Sequence, residues 1–213
     1  TIIVGKTGWI IVDPLTTKET TAAAINFAKQ HLEAKPVVAI IHTHSHIDHF
    51  GGVLAITSAE EVEAGTVQII APDGYMTEAV SEMIIAGPAM GRRAQYMYGR
   101  GLALSERGHV DTGLGKAPAA GSISILIPTD IIDHTPQEME IDGIRFVFQN
   151  APESEAPAEL TFYLPDLKAY CGAEIISKNM HNVYTLRGTK ARDALKWSNY
   201  IDEAIDLFGD AAV

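Results

Sequence analysis

Four of the chain's eight histidines fall within eight residues, in the run His42-Thr43-His44-Ser45-His46-Ile47-Asp48-His49, which is followed by Phe50-Gly51-Gly52. Neutral imidazole nitrogens and a carboxylate are the usual ligands of Zn²⁺. His44 and His46 are two apart on an extended backbone, so their side chains point the same way and can share one ion. Asp48 and His49 lie beyond the bend and face a second position. Gly51-Gly52 lets the backbone approach the site and starts the helix that follows. His42 and His31 stand apart from this pattern, and His42 reads as a supporting or structural residue. The bland alternative for the whole run is a polar loop with capping histidines.

A two-cation site needs about six to eight donors, and the run supplies four. No histidine lies between His134 and His181. Two glutamates stand at the ends of strand-like runs: Glu155 in Pro152-Glu153-Ser154-Glu155-Ala156-Pro157-Ala158-Glu159, and Glu174 in Cys171-Gly172-Ala173-Glu174. Glu153 and Glu159 are rivals of Glu155. Cys171 reads as a buried strand-end thiol. Further on, Arg187 offers a guanidinium fork, Asn182 an amide donor and His181 an imidazole.

Elements on either side must position these groups. Ile2–Val4 and Trp9–Val12 flank Gly5-Lys6-Thr7-Gly8 and read as a hairpin, ended by Asp13-Pro14 because proline cannot donate to a ladder. Thr16 or Thr17 caps a helix running to about Ala34, on the spacing of Ala22, Ala24, Ile25, Ala28 and Leu32. Val37–Ile41 is a buried-type strand that leads straight into the histidine turn. A helix from Gly51-Gly52 to about Glu63, a strand over Val67–Ala71 and a second helical region over Thr77–Gly99 follow. Residues 99–122 are glycine-rich with little periodicity, and a loop this long is usually functional or disordered. After Ile123–Ile127, the stretch Ile141–Phe148 reads as a turn into an alternating strand. Leu160–Leu164 and Leu167–Cys171 form a hairpin, and Lys190–Phe208 an amphipathic helix. The alternation specifies an α/β (α+β) chain with layered helix–sheet architecture.

Composition bounds the rest. With 213 residues, 46% of them apolar, the chain can bury a sizeable core in one domain. Its apolar runs are too short to span a bilayer. A net charge of −11 argues against a nucleic-acid partner, which needs a clustered positive surface. A single cysteine forms no internal disulfide. The chain opens at Thr1 and stops at Val213 after a helix, which reads as an internal piece of a longer protein, and no localisation can be read from this N-terminus.

The run His44-Ser45-His46-Ile47-Asp48-His49-Phe50-Gly51-Gly52 resembles the HxHxDHxGG signature of the metallo-β-lactamase superfamily, an αββα sandwich with a dinuclear metal site. Most members carry a histidine and an aspartate where this chain has Glu155 and Glu174. That difference, with Tyr98-Gly99, Thr112-Gly113-Leu114-Gly115-Lys116, Pro128-Thr129 and the stretch Asn179–Gly188, resembles the alkyl sulfatases of the dodecyl-sulfate-hydrolysing type. The resemblance implies that residues 1–213 are a metallo-β-lactamase-type catalytic domain truncated at both ends. It implies two zinc ions, with His44, His46 and Glu155 on one, Asp48 and His49 on the other, and Glu174 bridging. It further implies a metal-bound hydroxide as nucleophile, His181 as general acid, Asn182 and Arg187 on the sulfate, and Tyr98 in the substrate pocket.

The same resemblance implies a last histidine ligand beyond Val213, a homodimer formed through a region outside this chain, and a lipid-binding-like C-terminal domain. It is compatible with a periplasmic or secreted bacterial protein. An alkyl tail needs an apolar channel, and Met76, Met83, Ile84, Ile85, Met90 and Met97 crowd one region, with a packed helix face as the alternative. Two rival readings remain at this level: another hydrolase of the superfamily acting on a lactam, thioester or phosphodiester, and a non-catalytic or diiron domain of the same fold.

Overall fold

The computed structural model describes residues 1–212. Its first sheet has the strand order β1 (Ile2–Val4), β2 (Trp9–Val12), β3 (Val37–Ile41), β4 (Gln68–Pro72) and β5 (Asp130–Ile132). β1 and β2 pair antiparallel across the expected hairpin, and the other pairs are parallel. Parallel neighbours require a crossover, which α1 (Lys18–His31) supplies between β2 and β3. The second sheet is an antiparallel meander of β6 (Gln137–Ile141), β7 (Ile144–Asn150), β8 (Leu160–Leu164) and β9 (Ala169–Cys171).

Strand alternation builds two kinds of core. Ile10, Val12, Ala39, Ile41 and Ile70 point between the sheets and meet Phe146, Phe148, Leu160 and Phe162. Trp9 and Ile11 point the other way and pack on Ile25 of α1, while Ile40 and Ile69 pack on Val53. On the far side, α6 (Ala194–Phe208) lays Ala204 and Phe208 against Tyr163 of β8. The layers are therefore helix, sheet, sheet, helix, the αββα sandwich anticipated from the sequence.

Several elements differ from expectation. Thr17 caps α1 through a reciprocal box with Thr20, and the helix ends at His31, where Leu32 turns extended. The helix expected from Gly51-Gly52 to Glu63 is instead α2 (Ile47–Phe50), a 3-10 turn (Val53–Ala55) and α3 (Ala59–Glu63). Ser58 restarts the chain there, in a capping box with Glu61. The next helical region is broken into α4 (Tyr75–Val80), a π-helical stretch (Ser81–Ala86) and α5 (Gly87–Met97). Pro88 lacks the N–H an α-helix would need there, which favours the wider turn. α6 begins at Ala194 because Asp193 accepts from Leu195 N and Lys196 N. Residues 98–129 hold no helix or strand, yet Ser122 and Ser124 tie this segment to Lys18 and to Gly51.

Candidate metal centre

The histidine turn is stitched to both sheets. His42 N still bonds Ile70 O at 2.9 Å, as an extension of β3. The chain then crosses over: Leu160 N donates to Thr43 O at 2.8 Å and Ser45 N to Ala158 O at 3.1 Å. The turn thus sits at the carboxyl ends of parallel strands, where open α/β sheets leave a crevice for ligands. Asp13, the first residue past β2, has left-handed backbone (φ 58°), which aspartate tolerates better than most residues. Its carboxylate accepts from Thr43 N and Thr43 Oγ1, both at 2.8 Å, and from His49 Nδ1 at 2.9 Å. Gly51 and Gly52 are needed for close approach: a Cβ at 51 would lie 2.1 Å from Thr16 O, and one at 52 only 2.3 Å from Pro14 O.

Six side chains converge here. His44 Nε2 lies 3.6 Å from Glu155 Oε2 and 3.4 Å from Glu174 Oε2. His46 Nδ1 is 2.9 Å from Glu155 Oε2. His44, His46, Glu155 and Glu174 therefore form one donor group, and Asp48, His49 and Glu174 a second. His49 Nε2 is 3.5 Å from Asp48 Oδ2 and 3.2 Å from Glu174 Oε2. Glu174 Oε2 belongs to both groups, the position a bridging carboxylate needs. Ala173, just before it, is held at φ 48°, a strained conformation of the kind that clusters at functional sites.

The donor set fits divalent cations. Edges of a tetrahedral shell with bonds near 2.0–2.1 Å are about 3.3 Å long, close to the separations at His44 and Glu174. His44 Nε2 and His46 Nε2 are buried with no hydrogen-bond partner among the described residues, a costly arrangement unless a cation takes their lone pairs. The cluster also draws positive charge strongly. Burial opposes charge on His49, but hydrogen bonds to Asp13, Asp48 and Glu174 outweigh it and push its imidazolium up to about 12. Hydrogen bonds from His44 and His49 hold Glu174 far below the usual carboxylate range. Asp48 falls to about 2 because His49 overcomes the effect of burial.

The other residues singled out by sequence divide. Glu155 is buried and turned to the histidines, whereas Glu153 is exposed and paired with Lys196. Glu159 is buried behind Glu155 and accepts from Ser154 Oγ and Ala156 N. His181 Nε2 lies 3.2 Å from Glu174 Oε1, so the structure brings this ring to the cluster. Asn182 is exposed, and its oxygens accept from Arg192. Arg187 is half-buried and forms no ion pair among the described residues; Arg192 is the guanidinium at the carboxylates. Tyr98 ends α5 with Arg100 over its ring and its carbonyl bonded by His109. Cys171 is half-buried against the inter-sheet core, and burial raises its thiol pKa. The ligand expected beyond Val213 lies outside the described residues.

Three site residues escaped the sequence reading. Asp13 read only as a strand terminator, although an aspartate ending a strand beside the histidine strand was a usable signal. Glu82, whose Oε2 lies 3.8 Å from His46 Nε2, sits in the π-helical stretch that pattern reading took as plain helix. Arg192 carries no local motif. Of the apolar crowd, Met76 and Met83 pack on Phe50 and Tyr75, while Ile84 and Ile85 are exposed. Met90 lines a cavity of about 280 Å³ together with Glu82, Arg93, Pro157 and Tyr184.

An αββα sandwich with this donor cluster at the strand ends defines the class, and residues 1–143 match the family described as the Metallo-beta-lactamase superfamily. The protein belongs to that superfamily. Within it, the chain is similar to a linear primary-alkylsulfatase from Pseudomonas sp, 47% identical over 210 residues that make up 99% of this chain and 31% of the relative. An alkyl/aryl-sulfatase from Saccharomyces cerevisiae is also 47% identical, over 98% of this chain and 32% of its own. The solved stereoselective inverting sec-alkylsulfatase from Pseudomonas sp. superposes with a TM-score of 0.93 at 40% identity, covering 99% of this chain and 33% of that one. The chain thus spans about a third of the length of the relatives it matches.

Proposed function

We propose that this protein is a zinc-dependent alkyl sulfatase, releasing an alcohol and inorganic sulfate from alkyl sulfate esters. The observation that carries this reading is the match to alkylsulfatases over nearly the whole chain, on a site with glutamates at both carboxylate positions. His44, His46 and Glu155 would hold one zinc ion, Asp48 and His49 the other, with Glu174 between them. When bound, the two ions supply Lewis acidity and lower the pKa of a water to about 7.

The chain's own residues do the rest. Three ligand carboxylates leave two divalent cations with net positive formal charge, which attracts a sulfate monoester to an otherwise acidic protein. His181 turns Nε2 toward the cluster and can hold a proton for the departing oxygen of the sulfate ester, the general-acid role. Asn182 and Arg187 lie on the same segment as His181 and are the candidate contacts to sulfate oxygens. The cavity bounded by Met90, Glu82 and Pro157 adjoins the donors and offers room for an alkyl tail. The dimer implied by the resemblance would form through a region outside these residues.

Metal analysis by mass spectrometry, paired with sulfate release from dodecyl sulfate, tests the reading. Two zinc equivalents and turnover that chelation abolishes are expected. His181→Ala should retain both ions while sulfate release falls about 100-fold or more. Turnover of a lactam, thioester or phosphodiester without sulfate release, or bound iron, would favour the rival readings instead.

A further inference from the structure

Arg192 belongs to no motif, yet its side chain is only 5% exposed at the edge of the donor cluster. One edge of its guanidinium is spent on Glu155: Nη2 contacts Oε1, and Nε donates to the Glu155 carbonyl at 2.5 Å. The other edge is spent on the following segment: Nη1 donates to Asn182 O at 2.7 Å and to Asn182 Oδ1 at 2.8 Å, and it approaches His181 Nδ1 at 3.0 Å. Nδ1 also lies 3.0 Å from Asn182 O, so this side of the ring is held between the guanidinium and that carbonyl. Nε2 is thereby turned to Glu174 Oε1 at 3.2 Å and Glu155 Oε1 at 3.5 Å.

We propose that Arg192 is a positioning residue that joins a metal ligand to the acid-bearing segment. By occupying Glu155 Oε1 it leaves Oε2, the oxygen nearest His46 Nδ1 and His44 Nε2, as the one free to ligate. By holding His181 and Asn182 with its other edge it fixes which ring nitrogen faces the reaction. A lysine keeps the charge but cannot serve two edges at once, so the geometry should fail while the charge persists. A buried ion pair need not add net stability, which points to geometry as the use of this one.

The inference rests on the metal reading above, so the experiment separates the two. Zinc affinity by chelator competition, steady-state kinetics on dodecyl sulfate and circular dichroism are measured for the parent, Arg192→Lys and Arg192→Ala. The parent's values report on the metal and sulfatase readings; variant-to-parent ratios report on Arg192. Folded variants should bind the first zinc 10- to 100-fold more weakly. Their kcat should fall about 100-fold with KM changed less than about threefold, and ethylguanidinium should restore part of the kcat of Arg192→Ala. Folded variants within about threefold of the parent in both affinity and kcat would overturn the proposal. If neither variant folds, Arg192→Gln repeats the test with a planar donor; its failure to fold as well would assign Arg192 to the fold and overturn the positioning role.

Discussion

An imidazole ligates well only when its other nitrogen is held, and Asp13 does this for His49. Its carboxylate accepts from His49 Nδ1, so Nε2 is turned to the second donor group with Asp48 and Glu174. His44 is held in the same manner by Thr43 Oγ1 at 2.8 Å from Nδ1, and Thr43 is anchored in turn by Asp13. Outer partners of this kind are worth about 10- to 100-fold in metal affinity. Asp13→Asn keeps the shape and removes the charge. Zinc titration calorimetry should show the second ion bound 10- to 100-fold more weakly, and the first, which Asp13 reaches only through Thr43 and His44, weakened less. Equal weakening of both ions would mean that Asp13 shapes the turn and does not act through His49. The histidine turn was legible because its chemistry is crowded into eight residues. Glu155 and Glu174 were legible only through resemblance, since a lone glutamate in a loop has no periodicity to betray it. Arg192 was not legible, because three-dimensional folding alone brings it to Glu155.

Elements follow the same division between local and distant causes. Strands β1 to β4 were readable because each is short, apolar and bounded by turn residues. β6 was missed because Gln137–Ile141 has only Met139 and Ile141 as apolar residues, too few to show a period, and only Ile141 is fully buried on this edge strand. β5 has three residues, too few for any period to show. The break after α2 has a tertiary cause: Gly51 and Gly52 press against Pro14, Thr16 and Thr17, which lie in the β2–α1 connection. This contact seats the helix that carries Asp48 and His49 against the strand end that carries Asp13. A methyl group at position 52 would meet the Pro14 and Thr17 carbonyls at 2.3 and 2.6 Å, backbone atoms that cannot swing aside. Overpacking of this kind costs about 1–3 kcal/mol. Gly52→Ala should lower the urea midpoint accordingly, whereas Gly91→Ala, where a Cβ meets nothing within 4 Å, should not lower it.

Across the whole molecule, the site end of the first sheet also has a helix-facing side, and His42 is buried there against α2 and α4. Its ring stacks on Tyr75 at 5.2 Å, with Phe50 edge-on at 6.3 Å, and neither nitrogen has a partner among the described residues. Burial penalises the imidazolium and pulls the pKa down to about 4, the nearby Asp13 charge opposing only part of the effect. The sign of the consequence follows from linkage. A group whose folded pKa lies below its unfolded value of about 6.5 leaves stability intact above that value and erodes it as pH falls toward the folded pKa. Between pH 7 and pH 4 the loss from His42 alone is about 3 kcal/mol, a large share of the 5–15 kcal/mol typical of a domain. Carboxylates and metal ligands also titrate in this window, so the parent's acid unfolding does not isolate His42. The difference from His42→Phe does, because that variant keeps an aromatic ring beside Tyr75 and cannot take up a proton. Urea unfolding at pH 7, 5.5 and 4 should show the stability difference shifting in the variant's favour as pH falls, the variant losing about 3 kcal/mol less than the parent. Curves that stay parallel would mean His42 is hydrated or already charged at neutral pH, and the layer between the first sheet and its helices would then be wet at this end.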